Sequence, residues 1–150
     1  MESPPCRDSM PYLTGVVLAL LISGFAAVVG FDRDRAFYPT VLIVIACYYV
    51  LFAVIGGSSH ALLVETLITT AFLLLAAIGF RGNLWLVVAG LAGHGIFDLL
   101  HQRVVVNPGV PAWWPAFCMT YDITAAAVLG WLLIRRGDAR VDLNRVSGGA

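Results

Sequence analysis

The sequence predicts an all-α integral membrane protein that folds as a compact bundle of five transmembrane helices. Of its 150 residues, 60% are hydrophobic and 12% are charged, whereas about 25% of the residues in a soluble domain are charged. The apolar residues form five long runs, which short segments rich in charge, Gly or Pro separate. Each run is long enough to cross a bilayer about 30 Å thick as an α-helix. This composition excludes a water-soluble fold and favours a single transmembrane domain.

The first helix is predicted at residues 12–31. We expect the mature protein to retain it, because no small-residue cleavage site separates this apolar run from the FDRDR segment that follows. Small residues recur at every fourth position of the helix, which lets another helix approach closely. We expect this stripe to pack inside the bundle, with a homo-oligomer contact as the alternative. Its members are Gly15, Ala19, Ser23 and Ala27.

The next two helices are predicted at residues 37–55 and 61–80. The second helix begins with FYPT, and a proline such as Pro39 is well tolerated in the first turn of a helix. It carries Cys47, Tyr48 and Tyr49 near the middle of the span, where a tyrosine hydroxyl needs a hydrogen-bond partner. The GGSSH segment separates this helix from the third, which places Glu65 inside an apolar run.

The last two helices are predicted at residues 84–101 and 112–134, and a short polar tail follows at residues 135–150. The RGN and HQRVVVNPGVPAWWP segments that border the fourth helix are rich in charge, Gly or Pro and therefore predict connections. Trp113 and Trp114, in the second of these segments, are expected to anchor the protein at the membrane interface.

The arginine distribution predicts the orientation of the bundle. Five spans put the two ends of the chain on opposite sides, and the loops of membrane proteins carry their excess positive charge in the cytoplasm. We therefore expect the N-terminus outside and the C-terminal tail in the cytoplasm, as in a multi-pass protein of the bacterial inner membrane with lipids as partners. The cytoplasmic arginines are Arg33, Arg35, Arg81, Arg135, Arg136, Arg140 and Arg145, against Arg7 and Arg103 outside.

Ionisable residues interrupt the last three predicted spans, and such residues are costly in a membrane and mark function by default. The fourth helix places His94, Asp98 and His101 at positions i, i+4 and i+7, which share one helix face. Counted at about 1.5 Å per residue from the outer ends of the helices, Glu65 and Asp98 share one depth. His94 and Asp122 lie about one to two turns deeper. These groups are therefore expected to converge in the outer half of the bundle.

The chemistry of these groups points to a divalent metal ion, with Zn or Fe as the candidate cofactor. Imidazole and carboxylate groups are side chains that hold such metals. We expect the metal ligands to be His94, Asp98 and His101. Glu65 or Asp122 is expected to act as general base in a metal-dependent enzyme that acts on a lipid-like or apolar substrate.

Cysteine and charge patterns bear on the alternatives. The three cysteines form no CxxC pair and predict no disulfide framework. Cys118 lies one turn before Asp122 and is as much a candidate ligand as a small buried apolar residue. The chain carries no basic block, so nucleic-acid binding is set aside.

Two other functions fit the same residues. The polar groups can form a pathway that transports or senses a proton or a metal ion. They can also serve helix packing alone in a structural membrane subunit, where such hydrogen bonds contribute about 0.6 kcal/mol each. A pathway needs a polar route from Asp122 towards Arg81, and a dry apolar plug there would argue against it. Haem ranks lowest, because no second histidine lies well inside another predicted span.

Overall fold

The structure, a computed structural model, describes the backbone of residues 6–147 and the side chains of residues 9–137. Five α-helices and one short 3-10 turn make up this part of the chain, which confirms the all-α bundle predicted from the sequence. The side chains of Cys6, Arg7, Arg140 and Arg145 lie outside the described residues. In order, the helices are α1 (Cys6–Val29), α2 (Phe37–Ile55), α3 (Ser59–Arg81), α4 (Trp85–Val104) and α5 (Trp114–Ser147).

Four of these helices are long and apolar enough to cross a membrane, namely α1, α2, α3 and, over Trp114–Gly137, α5. The remaining helix, α4, has 20 residues. His94, Asp98 and His101 make it too polar to qualify by composition alone. The prediction of five membrane-spanning helices is thus supported for four of them, and α4 depends on its neighbours to cover its polar face.

Turn chemistry fixes the ends of the first three helices. α1 ends before Gly30, which adopts a left-handed conformation (φ 90°) that suits glycine. Between α2 and α3, Gly57 also has a positive φ of 64°. The Ser58 hydroxyl then accepts a hydrogen bond from the amide of Ala61, which caps the start of α3.

The helices pack mainly in the order α1, α5, α4, α3 and α2. The first and last helices of this series leave one side of the bundle open. α5 packs against α1 and against α4, α4 also packs against α3, and α3 packs against α2. The Cα traces of α1 and α2 never come within 8 Å of each other over the described residues, although the two helices are consecutive in sequence. The bundle therefore has a gap between α1 and α2.

The small residues of α1 pack inside the bundle. Gly15, Ala19 and Ser23 are buried, and a Cβ added to Gly15 would collide with the backbone of α5. Ala27 is exposed, and Ala26 is buried in its place. A strict spacing of four residues drifts around a helix with 3.6 residues per turn, so the buried stripe shifts by one position. A homo-oligomer contact through this stripe stays a prediction.

Arginine side chains tie together one end of the bundle. Arg35 donates hydrogen bonds to the carbonyl oxygens of Phe80 (3.2 Å) and Gly82 (2.8 Å) at the end of α3. Arg136 of α5 pairs with the carboxylate of Asp32 at 3.0 Å. The turn after α1, the end of α3 and this part of α5 therefore share one end, which is the arginine-rich end predicted to face the cytoplasm.

The surface of this bundle is as apolar as its core, and several ionisable groups are buried inside it. Large apolar side chains lie on the surface, and Leu21 of α1 and Leu67 of α3 are 63% and 65% exposed. Such a surface suits a hydrocarbon environment and is compatible with a membrane protein. The buried groups include every predicted site residue, each between 0% and 2% exposed: Glu65, His94, Asp98, His101 and Asp122.

Candidate metal centre

Close packing of α4 on α5 brings three of the predicted site residues together. A Cβ added to Gly95 would lie 3.1 Å from the carbonyl oxygen of Met119, so this glycine lets the two helices approach. As a result, His94 Nδ1 lies 2.6 Å from Asp122 Oδ2. The same nitrogen lies 3.6 Å from Asp98 Oδ2, one helical turn away on α4. The His94 imidazole therefore sits between two carboxylates from two helices.

A thiol completes this group. Cys118 Sγ lies 4.0 Å from Asp122 Oδ2, one turn away on α5. Each of the four buried residues offers a ligand atom, and these atoms all lie within 4.8 Å of one another. We call them the His94 cluster: His94, Asp98, Cys118 and Asp122.

Two carboxylate oxygens of the His94 cluster have no hydrogen-bond partner among the described residues. They are Asp98 Oδ2 and Asp122 Oδ1, and both are buried. Buried polar atoms are normally paired, and two neighbouring buried carboxylates also need a compensating positive charge. A divalent cation would satisfy both requirements at once.

The donor set of the cluster suits a transition metal. Zn²⁺ in proteins takes four ligands in a tetrahedron, with bonds of about 2.0–2.3 Å to imidazole nitrogen, carboxylate oxygen or thiolate sulfur. In such a site the ligand atoms are about 3.4 Å apart. The cluster spans up to 4.8 Å, so its widest pair must approach by about 1.4 Å when a metal binds. Side-chain rotation supplies a movement of that size.

Glu65 and His101 form a second polar group. His101 Nε2 lies 2.7 Å from Glu65 Oε1, and Asn107 donates a hydrogen bond to the same oxygen at 3.1 Å. The Asn107 amide also donates to the backbone carbonyl of Tyr49 at 3.1 Å. An acid of α3 thus pairs with a histidine of α4, and a side chain from the loop before α5 connects this acid to the backbone of α2.

Tyr49 stands between the two groups. Its ring stacks on His101 with 4.1 Å between the centroids, and its hydroxyl donates to Asp98 Oδ1 at 2.5 Å. This bond supplies the partner that a buried tyrosine needs. His94 and His101 are separated by about 10 Å along the helix axis, which explains why each pairs with a different acid.

The structure therefore divides the predicted site residues between two places. His94 and Asp98, predicted as ligands, share the His94 cluster with Asp122, which was predicted as a general base. His101 was predicted as a third ligand but lies with Glu65. The metal role of His101 and the general-base role of Glu65 stay predictions.

The loop before α5 packs into the bundle. Its contribution to the polar site was not predicted from the sequence. Val105 and Asn107 are 3% and 9% exposed. A Cβ added to Gly56 would lie 2.6 Å from the amide nitrogen of Gly109, so this loop packs tightly on the end of α2. The available signal was the NPG turn inside the apolar stretch VVVNPGV. A polar residue in such a setting is a candidate for an inward contact.

The interior between the His94 cluster and the arginine-rich end is apolar. Between His94 and the arginine-rich end, the larger buried side chains of α4 are Leu91 and Val87, both 0% exposed. They belong to a hydrophobic core with Leu129 of α5. This apolar packing argues against a polar route from Asp122 to the far end of the bundle.

Comparison with known proteins assigns no identity to the chain. No protein-family model, curated protein or solved structure matches it. The geometry of the His94 cluster is therefore the basis on which a function can be assigned.

Proposed function

We propose that this chain is an integral membrane protein that binds one divalent metal ion in the His94 cluster and uses it for metal-dependent chemistry. One observation carries the proposal. Four residues of metal-binding type converge within 4.8 Å, and two of their buried carboxylate oxygens have no partner among the described residues. Intramembrane ionisable groups are expensive, and a metal site accounts for their presence.

The membrane location has its own support. Four helices are apolar and long enough to cross a bilayer, and their large apolar side chains are exposed. Arg35 and Arg136 lie at one end of the bundle, where the positive-inside tendency places the cytoplasm. The His94 cluster then lies in the outer half of a bacterial inner-membrane protein, with the C-terminal tail inside.

The proposed ligand set selects among metals. A cysteine thiolate beside imidazole and carboxylates favours Zn or Fe over Mg or Ca, which prefer ligands that are all oxygen. A metal ion held there would polarise a substrate group or activate a bound water. The chain's own residues would then move protons. Tyr49 donates to Asp98, and its ring stacks on His101, which pairs with Glu65. We propose that this pair would accept or return a proton.

A purely structural role is the second candidate, and one observation favours it. The side chains already pair across helices, as His94 with Asp122 and Tyr49 with Asp98. Such contacts fix helix packing without any metal. An ion pathway has less support, because the described interior beyond the cluster is apolar.

Metal analysis of the purified full chain in detergent tests the proposal. After loading with Zn²⁺ and removal of excess metal, we expect about one ion per chain in the natural protein. The double variant His94→Ala, Asp98→Asn is expected to lose this metal. His60→Ala is the matched control, because His60 is exposed in the first turn of α3, outside the cluster. Equal metal content in the natural protein and the double variant would overturn the proposal.

Thermal unfolding separates metal binding from packing. If the cluster binds Zn²⁺ tightly, saturating metal should stabilise the natural protein by about 2.7 kcal/mol at a hundredfold excess over Kd. The double variant should show no such shift, whatever its own stability. No metal-dependent shift in the natural protein would favour the structural role.

A further inference from the structure

A long groove lies between α1 and α2. Its volume is about 1050 Å³, at the upper end of the size range of ligand sites in proteins. It runs from Met10 at one end to Phe31 at the other, which is about 30 Å along α1. The groove therefore extends over about the thickness of a bilayer core.

The groove is partly open to the surface and lined almost entirely by apolar groups. Leu18 of α1 and Val44 of α2 line it and are 37% and 49% exposed. Both helices are apolar enough to cross a membrane. In the proposed membrane setting the mouth of the groove thus opens sideways into hydrocarbon.

The floor of the groove reaches the His94 cluster. α5 forms this floor through side chains that include Phe117, Cys118 and Tyr121. Cys118 belongs both to the lining and to the set of four possible metal ligands. The groove and the candidate metal centre therefore share one residue.

A partner helix is a poor occupant for this groove. Transmembrane helices associate through small residues that let their backbones approach. On α1 the small residues Gly15 and Ala19 are buried, and Gly15 packs on the backbone of α5. The groove instead presents large branched or aromatic side chains such as Ile22, Val44 and Phe117. A flexible hydrocarbon chain can follow this uneven wall and make dispersion contacts along it.

We propose that the groove binds the hydrocarbon chain of a membrane lipid, which enters sideways between α1 and α2. The functional group of that lipid would meet the His94 cluster at Cys118, and this second part rests on the proposed metal function. The lipid-like substrate expected from the sequence thereby gains a binding site, an entry route and a point of contact.

Photo-crosslinking in a bilayer tests the proposal. The full chain is reconstituted into phosphatidylcholine vesicles in which a small share of the lipid carries a diazirine on one acyl chain. After illumination, mass spectrometry maps the labelled residues. We expect labelling of Leu18 and Phe117 to exceed that of Leu67, which is on the lipid-facing surface of α3, by about tenfold, because the groove retains a chain longer than the surface does.

A matched pair of variants makes the test specific. Val44→Trp fills part of the groove and should reduce labelling of Phe117 by about tenfold. Leu67→Trp adds the same side chain to the exposed surface of α3 and should leave labelling of Phe117 unchanged. Uniform labelling of all exposed apolar residues would overturn the proposal. So would an unchanged pattern in Val44→Trp.

The metal content of the same samples separates the two proposals. Groove labelling without bound metal would overturn the metal function and leave the lipid site standing. Bound metal without preferential groove labelling would overturn only the lipid site.

Discussion

His94 lies at the centre of the buried polar groups. Its imidazole lies against Asp122 of α5 and near Asp98 of its own helix, and all three are almost fully buried. Removing one partner from such a group leaves the others unpaired in a medium that solvates them poorly. Function and stability are therefore coupled here, and variants must be chosen to separate them.

Two histidines of α4 should respond differently to substitution. We expect His94→Ala to abolish binding of Zn²⁺, because His94 lies among the four convergent ligand atoms. His101→Ala should bind Zn²⁺ with a Kd within about threefold of the natural protein, less than 1 kcal/mol. Isothermal titration of both variants measures this directly. Loss of metal in His101→Ala would restore His101 to the ligand set predicted from the sequence.

Glu65 offers a test of the second polar group. Glu65→Leu should lower the free energy of unfolding by about 1–3 kcal/mol, since His101 and Asn107 both lose their acceptor. Glu65→Gln keeps a side-chain oxygen and should cost less. Denaturant unfolding in detergent gives both values. The metal content of both variants should stay that of the natural protein, and its loss in Glu65→Gln would contradict the division into two groups.

At the scale of helices, the contact of α1 with α5 depends on a missing side chain. Gly15→Ala would push a Cβ into the α5 backbone, so we expect a loss of stability of about 1–3 kcal/mol. Gly24→Ala is the matched control on the same helix, because a Cβ there meets no atom within 4 Å. It should be neutral or stabilise by up to about 1 kcal/mol. Thermal unfolding of the two variants compares them, and equal destabilisation would mean that α1 does not pack as described.

Helices were predictable from sequence because apolar runs and their breaks are local signals. The bounds of α2 follow from FYPT at its start and the two glycines at its end. The start of α1 was less predictable, because the helix begins at Cys6 and continues through Pro11 before the apolar run. The bounds of α4 were close to the prediction, but its three ionisable residues keep its hydropathy below that of its neighbours.

Which polar side chains contact each other inside the site was less predictable, because these contacts depend on the rotation of each helix and on the path of a loop. Depth along each helix follows from the sequence, and His94 and Asp122 are indeed at one level. Rotation decides that Tyr49 turns inward to meet Asp98, and no local pattern encodes this. Asn107 reaches Glu65 only because its loop folds back into the bundle.

At the scale of the whole molecule, the orientation in the membrane can be measured. A C-terminal fusion to green fluorescent protein should fluoresce, and a C-terminal fusion to alkaline phosphatase should be inactive, because the proposed orientation has the arginine-rich end in the cytoplasm. The reverse pattern would place the His94 cluster on the cytoplasmic side. It would leave the cluster itself intact but would overturn the orientation drawn from the arginines.

The most direct test of the metal site is X-ray absorption at the zinc edge of the Zn²⁺-loaded protein. We expect one sulfur ligand at about 2.3 Å and three nitrogen or oxygen ligands at about 2.0–2.2 Å, with an imidazole among them. Cys118→Ser should remove the sulfur contribution alone. A spectrum of the natural protein without sulfur and imidazole ligands would contradict the proposed centre.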